Sequence, residues 1–131
     1  MHIAARQGNK LCVKLISESH PKLAFQQDKD GLTPLMLAAK YGHSSVVKYI
    51  MENIDGESPH NVYDKQGNWA LHWCATNKDS AAAIASLVTE DCPIEAVNKK
   101  NDEGLTPLYV LILHVFSSHV DLISRLVVVL L

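Results

Sequence analysis

The sequence is poor in aromatic and sulfur chemistry and has no global excess of one charge sign. Its 131 residues include two Phe, two Trp and three Cys. Cys12, Cys74 and Cys92 are odd in number and far apart. That argues against a disulfide framework and fits a reducing compartment. Lys and Arg number 12 against 14 Asp and Glu, a net charge of −2. With no global basic field, nucleic acid is not an expected partner. No Asn-x-Ser/Thr site occurs, and residues 1–10 are too polar for the apolar core of a signal peptide. A cytoplasmic location is expected, with the nucleus or the cytosolic part of a membrane protein as alternatives. Long apolar runs are missing too. The most apolar stretch, 108–131, is interrupted by His114, His119, Asp121 and Arg125. No run of about 18 uncharged apolar residues exists, so no membrane span is expected there.

The usual marks of catalysis are also absent. There is no glycine-rich phosphate loop, no paired-histidine helix and no nucleophile elbow. His72-x-Cys74, with His60 and Cys92 distant, lacks the closely paired ligands of a zinc site. His72 is expected to serve as a structural hydrogen-bonding residue and Cys74 as a buried, inert thiol. No catalytic residue, cofactor or metal is expected.

What is present is internal repetition within one domain, 1–131. The stretch Asp28 to Ile50 reads DKDGLTPLMLAAKYGHSSVVKYI. Asp28-Lys29-Asp30-Gly31 is a turn, with Gly31 able to take positive φ. Thr33 stands at a helix N-cap and Pro34 at the first helical position. Gly42 ends that helix. Ser44 and Ser45 are candidate caps for a second helix, in which Val46, Val47 and Ile50 fall at helical spacing. Gly31-Leu32-Thr33-Pro34-Leu35 returns as Gly104-Leu105-Thr106-Pro107-Leu108. A weaker version, Gly67-Asn68-Trp69-Ala70-Leu71-His72, lies between them. The glycines are 36 and 37 positions apart, and Met1 to Asn9 lines up on Leu35 to His43 at a step of 34. A unit this small cannot bury its own apolar faces and has to stack on its copies.

At Asp28 to His43 the sequence resembles the ankyrin repeat family, whose motif runs roughly Asp-x-x-Gly-x-Thr-Pro-Leu-His-x-Ala-Ala-x-x-Gly-His. The likeness implies an all-α solenoid of stacked helix-turn-helix units with hairpin-like turn tips. About four repeats are expected, at 1–19 (partial), 28–53, 63–91 and 98–131. The first is entered halfway, which points to a piece of a longer protein. In it Ala4 and Ala5 are the small pair, and Leu11, Val13, Leu15 and Ile16 supply the second helix. Pro21 ends that helix and Phe25 is a core anchor. Residues 54–62 form a polar loop.

The third repeat departs from the pattern. Trp69-Ala70 replaces Thr-Pro, with Asn68 a partial substitute for the lost cap. Asn77 stands in for the helix-ending glycine as a left-handed residue. Its second helix is alanine-rich, and this repeat is expected to be the least stable. The fourth carries Leu111 and Ile112 in place of the small pair and Val115-Phe116 in place of the helix-ending Gly-His, so its first helix is expected to be longer. Val127 to Leu131 forms an apolar end, which suggests further repeats, another domain or self-association. Thr33-Pro34 and Thr106-Pro107 look like proline-directed phosphorylation sites, but each threonine is expected to be occupied as a cap.

The resemblance also implies a protein-interaction module whose partner contacts turn tips and first helices. Mapped onto this chain those positions are Arg6 and Gln7, then Lys29, Asp30, Leu32, Lys40 and Tyr41. They continue as Lys65, Gln66, Asn68, Thr76 and Asn77, and end with Asp102, Glu103, Leu105, Leu113 and His114. Trp73 is expected to flank the groove and Trp69 to point inward. The tips turn from basic (Lys29, Lys65) to acidic (Asp102, Glu103). The alternative function is a regulatory or assembly segment of a larger polypeptide, a channel or an enzyme, acting through intramolecular or self-association contacts.

Overall fold

The computed structural model describes residues 1–55, 61–78, 80–90 and 92–117. Its helices are α1 (His2–Arg6), α2 (Lys10–Ser19), α3 (Pro34–Lys40), α4 (Ser44–Asn53), α5 (Ala70–Ala75), α6 (Ala81–Leu87) and α7 (Ile94–Val97), and residues 107–117 form α8. A single 3-10 turn spans Pro21–Ala24. The described residues contain no strand. The Val127 to Leu131 end, His60, His119, Asp121 and Arg125 lie outside the described residues.

The helices stack in two layers. In the first-helix layer α1 packs on α3 and α3 on α5; in the second-helix layer α2 packs on α4 and α4 on α6. Small side chains make the first layer possible. Ala5, Ala38, Ala39, Cys74 and Ala75 are buried at the contacts. Larger residues (Val13, Val46, Val47, Ile50 and Leu87) fill the space between layers. One continuous core thus runs along the array instead of a centre.

Caps fix where the helices begin. The Thr33 hydroxyl accepts from Met36 N–H at 3.2 Å, and Thr106 accepts from Tyr109 N–H at 3.3 Å. Both threonines are therefore occupied. The second helices differ from expectation. α4 begins at Ser44, but its cap position is His43 and no side chain caps it. The turn after Gly42 brings His43 there, and its Nε2–H donates to the Arg6 carbonyl of the preceding repeat at 2.8 Å. In α2 the inward stripe is Val13, Ile16 and Ser17, while Leu11 and Leu15 face outward. Positions i, i+3 and i+4 share a helix face, and Leu11 and Leu15 fall off it. Phe25 is only half-buried, and Ala24 before it is the core residue.

The third repeat requires two corrections. Asn68 does not cap α5. The N–H of Trp69 is instead accepted by Nδ1 of His72, one turn into the helix, at 3.3 Å. Asn77 is not left-handed, since among the described residues only glycines have positive φ. α5 ends a residue shorter than α3, so its chain leaves through ordinary backbone geometry and Asn77 N–H bonds to the Cys74 carbonyl. α8, by contrast, extends further than α3 or α5, as the loss of its small pair and helix-ending glycine predicts.

Candidate partner-binding groove

The three turn tips share one construction. Oδ1 of Asp28 accepts the N–H groups of Asp30 and Leu32, both at 2.9 Å. Oδ1 of Asp64 accepts from Gln66 and Asn68 at 2.8 and 2.9 Å, and Oδ1 of Asn101 from Glu103 and Leu105 at 3.1 and 2.9 Å. Each tip is thereby folded from within. The tips are also tied to one another. Lys65 N–H donates to the Asp30 carbonyl at 3.2 Å, and Asp102 N–H donates to the Gln66 carbonyl at 2.9 Å. This close stacking is why glycine is needed. Gly31 and Gly67 have φ of 83° and 75°. A Cβ at Gly31 would sit 2.9 Å from Lys65 N, and one at Gly67 2.7 Å from the Asp102 carboxylate. Gly104, at the last described tip, has nothing within 4 Å of the same point.

Between the tips and the first helices runs a groove with two adjoining hollows, and Trp73 lines both. One, of about 300 Å³, is walled by Asp30, Leu32, Lys40, Lys65 and Gln66 with Asp64 beneath. The other, of about 270 Å³, is walled by Thr76, Glu103, Leu105, Val110 and Leu113, with Asn68, His72 and Asn101 beneath. Trp73 is held from two sides. Its Nε1–H donates to Oδ2 of Asp64 at 3.0 Å, and the Lys40 ammonium lies over its ring, 4.3 Å from the centroid. A second cation–aromatic pair, Arg6 over Tyr41 at 5.2 Å, continues the row toward the first repeat.

The sequence-selected residues fall into three groups. Arg6, Gln7, Lys29, Asp30, Tyr41, Lys65, Gln66, Thr76, Asp102, Glu103 and Leu113 are exposed. Lys40, Trp73, Asn77, Leu105 and His114 are half-buried. Leu32 and Asn68 are buried and are not presented to solvent as expected. Leu32 lies at the foot of its tip, where its carbonyl accepts from His2 Nε2–H at 3.0 Å. Asn68 is drawn inward by polar partners: Oδ1 accepts from Asn101 Nδ2 at 2.9 Å, and Nδ2 donates to Asp64 at 3.4 Å. The residue missed in the sequence is Asp64. Its buried carboxylate folds the third tip, engages Asn68 and fixes Trp73. Its place before Lys65-Gln66-Gly67, matching Asp28 before Lys29-Asp30-Gly31, was the signal.

His72 closes the joint to the fourth repeat. With Nδ1 accepting from Trp69 N–H, its Nε2–H donates to the Leu105 carbonyl at 3.1 Å. Burial pushes its pKa below the ordinary 6.5, against opposing effects of the Leu105 carbonyl and the Asp64 charge. Burial pushes the Cys74 thiol up to about 12, and that of Cys92 upward as well. A thiol held protonated is a poor nucleophile and metal ligand at neutral pH.

Turn, short helix, turn and second helix, stacked in register with tips bonded to tips, define a helical repeat solenoid. The comparisons name the kind: a family model described as ankyrin repeats (3 copies) matches residues 1–96. The chain belongs to the ankyrin repeat family. It is 30% identical over 122 residues to the Arabidopsis thaliana protein ACCELERATED CELL DEATH 6, covering 83% of this chain and 18% of that one. It is 29% identical over 152 residues to a probable E3 ubiquitin-protein ligase of Oryza sativa subsp. japonica, covering 96% of this chain and 29% of that one. It is 30% identical over 132 residues to the human transient receptor potential cation channel subfamily V member 2, covering 82% and 17%. The chain thus spans less than a third of the length of these relatives. Among the described residues no helix is long and apolar enough to cross a membrane.

Proposed function

We propose that this chain is a non-catalytic module that holds a partner protein in the groove between its turn tips and first helices. Ankyrin repeats in general mediate protein–protein interaction. The observation that carries the reading here is Trp73. A half-buried indole, fixed by a buried carboxylate and a cation, stands between two hollows, and preorganised aromatic anchors dominate binding energy at interfaces. Residues 98–131 are read as a fourth repeat of the same domain, because the tip at Asn101 copies the two before it. The cytoplasm, or the cytosolic part of a longer membrane protein, is the proposed setting.

A second reading, an assembly or regulatory segment within a larger polypeptide, is favoured by the small share of each relative that the chain covers. Leu108, Ile112 and Phe116, exposed on α8, offer a surface for such contacts or for self-association. One experiment separates the readings. A photo-crosslinker placed at Thr76 in the full-length parent protein is expected to join a separate protein, and Trp73→Ala is expected to abolish that product. Crosslinks only within the parent polypeptide support the second reading. A product that Trp73→Ala leaves intact removes the groove as the site.

A further inference from the structure

The two hollows on either side of Trp73 differ in charge and polarity, and that difference defines an occupant. On the first side the exposed or half-buried charges of the tips and first helices are Arg6, Lys29, Lys40 and Lys65, opposed by Asp30 and by Asp28, whose Oδ1 already accepts from Asp30 and Leu32 N–H. Asp64 also lies there, but its carboxylate is buried and accepts from Gln66, Asn68 and Trp73. The ion pairs among the described residues, Lys14–Glu18 and Lys48–Glu52, lie elsewhere. Lys40 is instead spread over the indole, and among the described residues no ion pair includes it. On the second side the tip presents Asp102 and Glu103, with Lys99 and Lys100 exposed just before it and Lys99 drawn over the Tyr63 ring at 5.4 Å. The wall on this side is aliphatic, formed by Leu105, Val110 and Leu113, and Leu113 is 47% exposed.

Building on the groove reading above, we infer that the partner presents an extended peptide segment straddling Trp73. An Asp or Glu side chain lies on the Lys40 and Lys65 side, and an aliphatic side chain lies against Val110 and Leu113. Among the described residues no ion pair has to be broken at Lys40 or Lys65 when a carboxylate arrives. The aliphatic side chain removes apolar wall from water. Reversing the segment would set its carboxylate against Glu103, so the charges also fix direction.

The test is selection of a random twelve-residue peptide library, displayed on phage, against the 131-residue chain, with counter-selection on Trp73→Ala. Circular dichroism checks that the variant keeps its helices. The expected result is Trp73-dependent peptides enriched in Asp or Glu within a few residues of Leu, Ile or Val. Their affinity should fall roughly tenfold for Lys40→Glu with Lys65→Glu, the scale of lost partly exposed charge contacts. Trp73-dependent peptides with neutral or basic composition would overturn this inference and leave the groove reading standing. Peptides indifferent to Trp73 would overturn both.

Discussion

The second and third repeats are built on the same tip but place their side chains differently inside. Asp28 and Asp64 fold their tips with the same pair of backbone hydrogen bonds. Behind the tip the second repeat is conventional. A hydroxyl caps α3, and the ten-residue α4 buries Val46, Val47 and Ile50. In the third no side chain takes the place of that hydroxyl; the His72 imidazole instead reaches back to accept the N–H of Trp69, and the seven-residue α6 buries only Ala83 and Leu87. In exchange it presents Trp73 to the groove. The repeat with the thinner packing is the one whose polar interior positions the candidate anchor. A degenerate repeat is therefore a place to look for specificity, because the family pattern is relaxed there by other physical demands.

The largest test of this contrast is at the tip carboxylates. Asp64→Ala leaves two backbone N–H groups and two side-chain donors without an acceptor in a buried site, and is expected to cost about 3 kcal/mol. Asp28→Ala, at a half-buried site serving two backbone N–H groups, is expected to cost about 2 kcal/mol. Urea unfolding of both variants measures the difference, and equal losses would remove the special role of Asp64. Next is local opening. Amides of α6 are expected to exchange with solvent through openings about 1–2 kcal/mol easier than those of α4, because fewer large side chains hold them. Hydrogen exchange in which α6 opens last would reverse the ranking of the two repeats.

The smallest effect is acid sensitivity. The pKa of His72 is lowered on folding, so the unfolded chain takes up the proton first. Stability should therefore be full above about pH 6.5 and fall as pH drops below it, by at most about 1.4 kcal/mol per pH unit from this group. His72→Gln is expected to flatten that slope relative to the parent chain when the urea midpoint is followed from pH 7 to 5. An unchanged slope would assign the acid sensitivity to other groups.

The repeat architecture was legible because Gly31-Leu32-Thr33-Pro34-Leu35 recurs in phase, and each residue in it has a local reason to be there. Thr33 and Thr106 cap as read, and Trp69 is fully buried. What was hidden depends on neighbours in space. Nothing near Asn68 in sequence shows that Asn101, one repeat away, draws it inward. Nothing near Ser44 shows that His43 is held at the cap position by the carbonyl of Arg6. Leu11 and Leu15 turn outward because the helix is phased on Val13, which apolarity alone does not reveal.

The two tryptophans have an optical consequence. Trp69 is sealed in the core, and Trp73 borders the groove with a cation over its ring. The chain therefore carries two native indoles in unlike surroundings, one reporting on the integrity of the fold and the other on the environment of the candidate groove. With Trp69 replaced by Phe, the remaining emission reads the groove alone, without an added dye.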